Sequence, residues 1–393
     1  MPSTTFRRLE LNGGAYWAIL AVGALVVGLG LAAAWYMEHH GHWVTGMDNR
    51  TVWGLPHVVA IFLIVAASGV LNLASIGSVF GREAYKPLAR LSGLMAVGLL
   101  VGGLSVLVLD LGRPDRLTVA MTRYNFSSIF AWNIFLYVGF LAVVALYLWC
   151  LMERRMLRWS PAAGLLAFLW RLVLTTGTGL IFGFLVAREA YDTAALAPLF
   201  IAMSFAFGLA LFILTLALIY DSTMLDEGLL RRLGRLLAVF VAAVLYFSAL
   251  PHLANLYAAE HLGVERFLLL DGGAITGLFW FGQVLLGGVV PLALLLWPGK
   301  WRLRRRVVVA AVGVAFGGLA QVYVVVIGGQ AYPMKLFPGL EMKTAFYGEP
   351  AHYAPSLPEL GLGLGGLAIA FLVVVVGLRV LEFLPRSLAS RGN

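Results

Sequence analysis

Long apolar runs alternate with short polar breaks along almost the whole chain. Ten runs stand out, at 15–36, 54–80, 88–110, 127–151, 163–187, 196–220, 236–258, 274–297, 307–327 and 359–384. Each is close to the roughly 20 residues that an α-helix needs to cross a bilayer. The pattern predicts an all-α integral membrane protein of about ten transmembrane helices, with no separate soluble domain. The first run is too long for the apolar core of a signal peptide, and no small-residue cleavage site follows it.

Composition agrees with this pattern: of 393 residues, 61% are hydrophobic and 12% charged, against about 25% charged in soluble domains. The cations are unevenly placed. With the N-terminus inside, inner segments hold 18 Lys and Arg and outer segments 8, the run Lys300–Arg306 ("KWRLRRR") being the strongest anchor. The positive-inside rule then puts both termini in the cytoplasm. Anionic lipid accounts for the net charge of +9, so no nucleic-acid partner is implied. The lone cysteine, Cys150, cannot ligate an iron–sulfur cluster by itself. The longest polar stretch, 328–358, reads as an ordered outer loop.

Polar side chains within spans are costly and mark function by default. In this topology most of them gather in the outer half. His57 lies one turn into the second span and Asp110 ends the third, within "LVLDLGRPDRL". Asn133, His252, Asn255, Gln283, Gln321 and Tyr323 lie at similar depth. Bland roles compete for each: His57 satisfying a helix start after Pro56, Asp110 paired with Arg113, His252 filling the kink at Pro251, and the amides bonding between helices. Arg171 and Arg379 are expected to snorkel to the inner surface. The cluster His39, His40 and His42 reads as surface loop rather than a metal site.

Three chemistries fit a polytopic helical chain. A haem carrier needs facing histidine pairs, and only His57 and His252 lie within spans, which allows one haem at most. A proton-coupled carrier would place carboxylates near the midplane, and no span has one. A quinone site needs partners for two ring oxygens, a base to take protons, and an apolar slot. Histidine suits the proton step, and a carboxylate behind it fixes its tautomer. His57 with Asp110 meets that need and makes them the proposed catalytic pair, with electrons passing to or from a partner. A proton-conducting or purely anchoring subunit is the alternative.

Three motifs in order resemble the NrfD/PsrC family of quinone-interacting membrane subunits. They are Trp53-Gly54 at a helix start, "DLGRP" from Asp110 to Pro114, and Asn125-Phe-Ser127 ahead of Trp132. The stretch "VVVIGGQAYP" followed by "HYAPSLPELGLGLGG" is similar to the ten-span branch of the family, and "WGLPHVVAIFLIVAASGVLNLASIGSVFG" to its DsrP group, from the DsrMKJOP sulfur-metabolism complex. The resemblance implies two four-helix bundles, spans 2–5 (54–187) and 6–9 (196–327), flanked by spans 1 and 10. It also implies a quinone pocket, for menaquinone or ubiquinone, near the outer face of the first bundle. The implied partners are a ferredoxin-like iron–sulfur subunit docked outside, and other membrane and haem subunits of a Dsr-like complex. No haem or cluster is expected in this chain. Trp53, Asp110, Arg113 and Asn125 carry over as motif positions, with neighbouring Tyr124 and Asn133 added as quinone-contacting candidates.

Overall fold

A computed structural model describes residues 5–221, 224–297, 299–334, 348–386 and 388. Ten helices long and apolar enough to span a membrane occur among them. They are α1 (Gly13–His40), α2 (Leu55–Ser78), α3 (Glu83–Leu109), α4 (Ile129–Met152), α5 (Leu157–Gly183), α6 (Leu196–Ile219), α7 (Glu227–Tyr257), α8 (Ala274–Leu296), α9 (Leu303–Ala331) and α10 (Leu357–Val380). The protein is multi-pass. The expected spans and these helices agree except at their ends. The largest difference is α7, which begins at Glu227 rather than 236. Asp226 caps it there, its carboxylate accepting from the Leu229 N–H at 2.9 Å, and Arg231, Arg232 and Arg235 lie in its first turns. The middle of the 328–358 loop, residues 335–347, lies outside the described residues.

The helices form two circuits of neighbours. In one, α2 packs on α3, α3 on α4, α4 on α5, and α5 returns to α2; in the other α6, α7, α8 and α9 close in the same way. α2 and α6 join the circuits, α10 lies against α2 and α3, and α1 rests on α10. The joint depends on glycine. A Cβ on Gly69 of α2 would collide with the Ser204 carbonyl of α6, and one on Gly208 with the Gly69–Val70 backbone. Small residues let membrane helices approach to backbone contact, where dispersion replaces the missing hydrophobic drive.

The described segments nearest the two ends, Phe6–Arg7 and Leu384–Pro385, lie on one side of the molecule. Phe6–Arg7 pairs antiparallel with Leu384–Pro385, and the Tyr220 hydroxyl between α6 and α7 donates to the Pro385 carbonyl at 2.8 Å. The connections before α2, after α3, after α5 and after α9 fall on the opposite side. There Arg188 donates to the carbonyls of Gln330 and Arg50, each at 2.8 Å. Burial lowers the pKa of this guanidinium from its ordinary value.

Arg171 does not snorkel: it is fully buried between the circuits. α2 is interrupted at Leu71, which frees backbone carbonyls. Arg171 donates to the Ser68 carbonyl at 3.3 Å and to the Asn72 amide oxygen, and it lies over the rings of Phe168 and Phe205 at 5.0 and 4.8 Å. A polar niche within the protein thus replaces the route to water. Arg379 does reach its helix end, donating to the Leu9 carbonyl at 3.0 Å.

Candidate functional site: a histidine–aspartate pair at the ends of α2 and α3

Pro56, in the first turn of α2, starts the helix where its missing N–H costs nothing. His57 follows and points across to α3. Asp110 is the C-cap of α3, and the chain turns immediately afterwards at Gly112, whose φ of +68° suits glycine. His57 Nδ1 lies 2.8 Å from Asp110 Oδ2. The aspartate side chain is 0% exposed and the histidine 18%, so the carboxylate is sealed behind the ring. The approach is short but off the angle of a hydrogen bond. Among the described residues, both Asp110 oxygens and His57 Nδ1 therefore stand buried without a hydrogen-bond partner. Such groups are costly to leave unmatched and mark a site that completes itself by a small rotation or by a ligand.

Trp53 forms the wall above. Its ring is 6.2 Å from His57 and 6.1 Å from Phe130 of α4, and meets Phe182 of α5 edge-on at 5.5 Å. The backbone of Trp53 is clamped from α9. Gln330 Oε1 accepts from the N–H groups of Val52 (2.9 Å) and Trp53 (3.1 Å), while Nε2 donates to the Trp53 carbonyl at 3.0 Å. A second support comes from the start of α10. The Tyr353 hydroxyl accepts from Leu55 N–H at 2.6 Å and donates to Glu359 at 2.7 Å. Glu359 also accepts from Gly46 and Ser356, each at 2.8 Å, the latter closing a capping box. Burial, then the neighbouring carboxylate, pushes the Tyr353 hydroxyl well above the ordinary tyrosine range.

The other expected residues separate from this pair. Arg113 is no counter-ion for Asp110; it pairs with Asp115, at 3.1 Å through both Nε and Nη2, on the exposed turn. The reversal at Gly112 carries its side chain away from the helix end, and Asp115 lies two residues on. Asn125 is exposed and accepts from the Ser127 N–H at 3.0 Å, shaping its own turn. Tyr124 lies against Phe135, with ring centroids 4.3 Å apart and the planes tilted by 33°, in an aromatic group with Phe126 and Trp132. No hydrogen bond or ring contact among the described residues joins Tyr124 or Asn125 to His57. Asn133 donates to the carbonyls of Ile129 (2.9 Å) and Gly177 (3.2 Å), tying α4 to α5, and its Oδ1 is buried without a partner among the described residues. Sequence reasoning passes over Gln330, Tyr353 and Glu359. Only Glu359 has a readable local signal, the Ser-x-x-Glu of its capping box.

Against proteins of known family, residues 43–334 match the model of the NrfD family, described as polysulphide reductase, NrfD. The chain belongs to the NrfD family. It is 28% identical, across 97% of its length and 96% of the relative's, to the Hdr-like menaquinol oxidoreductase integral membrane subunit of Archaeoglobus fulgidus. It is 32% identical to a putative dimethyl sulfoxide reductase membrane subunit of Halobacterium salinarum, over 96% and 94% of the two proteins. A polysulfide reductase polypeptide of Wolinella succinogenes is 25% identical over 63% of this chain and 83% of its own length. The match to the family covers α2 to α9, and the longer relatives extend it to α1 and α10.

Proposed function

We propose that this NrfD-family protein is the quinone-interacting membrane subunit of a redox complex. It exchanges electrons between the quinone pool and an iron–sulfur subunit docked on the outer face. The observation that carries this reading is the His57–Asp110 pair, a buried carboxylate 2.8 Å behind a partly open imidazole. The menaquinol oxidoreductase and polysulfide reductase names of its relatives point to the same chemistry.

Quinol oxidation releases two electrons and two protons. With Nδ1 toward Asp110, His57 Nε2 is the ring nitrogen left to accept a proton from a quinol hydroxyl. Asp110 stabilises the imidazolium, as a carboxylate behind a histidine does elsewhere. Trp53 and Phe130 supply apolar faces for the ring. The electrons leave to the docked subunit, so the protein needs no redox centre of its own. In this reading the two helix circuits are two four-helix bundles, with the site in the first. The Lys and Arg bias supports an orientation with both termini in the cytoplasm and the site near the outer surface. A Dsr-like complex is the assembly that the motif resemblance favours.

The test is titration of a fluorescent quinol-site inhibitor into the purified complex, wild type against His57→Ala. Saturable binding that weakens at least about tenfold in the variant is expected, a loss of ~1.4 kcal/mol or more. No binding to the wild type would sink the reading and leave an anchoring or proton-conducting subunit.

A further inference from the structure

A second polar centre lies among α6–α9, outside the site above. His252 Nδ1 is 2.7 Å from Glu265 Oε2, and Asn255 Nδ2 donates to Glu265 Oε1 at 2.9 Å. Glu265 is 1% exposed. The pair borders a cavity of about 50 Å³ that reaches Ser248, Gln283 and Gln321. Gln321 donates to the Ser248 hydroxyl at 2.9 Å. Gln283 is 93% buried, being 7% exposed, yet its amide has no partner among the described residues and faces this space.

Three helices around the cavity break their hydrogen-bond ladder beside it. α7 carries Pro251, whose missing N–H leaves the Phe247 carbonyl without its usual donor. α8 widens to π-helical spacing over Leu278–Val289, with Gln283 in the middle. α9 does so over Val324–Gly328, less than a turn past Gln321. Such widenings are rare and gather at functional sites. Irregular backbone at membrane depth is tolerated where it lines a wet cavity.

Size decides the occupant. A water needs about 10–15 Å³, so the cavity has room for roughly three to five, whereas organic ligands occupy pockets of about 300 Å³ or more. We propose that the second helix circuit holds a hydrated proton-exchange site. Its ligand is water, and His252–Glu265 carries one exchangeable proton. The step is proton transfer alone: hydronium gives its proton to the pair and leaves as water, with no electron moved. Tyr191, His252 and Glu265 are the titratable groups in the wall. On the flanking segments Arg266 pairs with Asp271 at 2.7 Å, and Arg188 is engaged with the carbonyls of Gln330 and Arg50. His261 Nδ1 meets the Glu189 carbonyl at 3.1 Å, placing the Glu189 and Glu260 segments beside it. The site is independent of the quinone reading, because proton exchange there is read without quinol.

The experiment is pH-induced infrared difference spectroscopy on the full-length protein in lipid nanodiscs, in H₂O and D₂O, from about pH 4 to pH 9. In the wild type a carboxylic C=O band that shifts in D₂O is expected. Glu265→Gln should lack it. Gln283→Leu, which replaces the amide facing the cavity with an apolar group of similar size, should keep the band but slow its deuterium exchange at least about tenfold. A Glu265→Gln spectrum identical to wild type, or equally fast exchange in Gln283→Leu, would overturn the proposal. So would a quinone analogue whose binding survives His57→Ala and disappears in Gln283→Leu, since the cavity would then open for a ring.

Discussion

Gln330 grips the peptide of Trp53 from both sides, accepting from its N–H at 3.1 Å and donating to its carbonyl at 3.0 Å. The two residues are 277 positions apart. One side chain from the end of α9 thus fixes the entry to α2, and with it the wall over His57. Gln330→Leu would strand the N–H groups of Val52 and Trp53 and the Trp53 carbonyl, at roughly 1–3 kcal/mol for each group that water cannot reach. The expected result is a lower melting temperature together with weaker quinol-site inhibitor binding. A variant that loses stability while keeping wild-type inhibitor affinity would show that the clamp holds the fold and not the site.

Asp110→Asn keeps the size of the side chain and removes its charge. If Asp110 orients His57 and stabilises its imidazolium, quinol turnover by the complex should fall by about 10²-fold or more, the scale of a lost general base. Assembly should persist, because the carboxylate makes no hydrogen bond that the fold depends on. Membranes assayed for both complex content and turnover separate the cases. Disappearance of the complex itself would assign Asp110 a structural role.

The ten helices are legible because hydropathy at membrane length is a strong signal, and topology then gives the depth of each polar residue. That suffices to put His57 and Asp110 at one level, and they meet because α2 and α3 are neighbours. It cannot supply Gln330 for Trp53 or Tyr353 for Leu55, since periodicity carries no information about contacts between segments some 300 residues apart. Arg171 defeats expectation for a related reason. Snorkelling assumes that a side chain can reach a helix end along a face open to lipid or water, whereas Arg171 sits at the middle of α5 and its face packs against the break in α2. Glu265 sits in a connection, so hydropathy gives no cause to pair it with His252. Spacing draws Arg113 to Asp110, while the turn at Gly112 directs it to Asp115.

The exposed Arg113–Asp115 pair leads to a prediction of little effect. Ion pairs open to solvent add little to stability. Arg113→Ala should therefore leave the melting temperature unchanged and inhibitor affinity within about twofold, as expected for such pairs. If the proposed iron–sulfur partner docks over this exposed turn, loss of Arg113 should register in its retention on purification. A tenfold loss of inhibitor affinity with the complex intact would return Arg113 to the quinone site.

Tyr353 offers a prediction in which pH sets the sign. Its hydroxyl is raised above the ordinary value by burial and by Glu359, so the folded protein holds this proton more tightly than the unfolded chain does. A raised acid contributes stability below its unfolded pKa of about 10, and that contribution fades as pH climbs toward the folded value. Tyr353→Phe removes the donor to Glu359 and the acceptor for Leu55 N–H. At pH 8 the variant should be less stable, by about 1.5–3 kcal/mol for a hydrogen bond to a charged group. Between about pH 10 and pH 12 the wild type should lose stability faster than the variant, because only the wild type must keep Tyr353 neutral, and the gap should close. Thermal unfolding of both proteins in one detergent, at pH 8 and at pH 11, tests this. Curves that fall in parallel would mean that Tyr353 ionises as readily in the folded protein as in the unfolded chain.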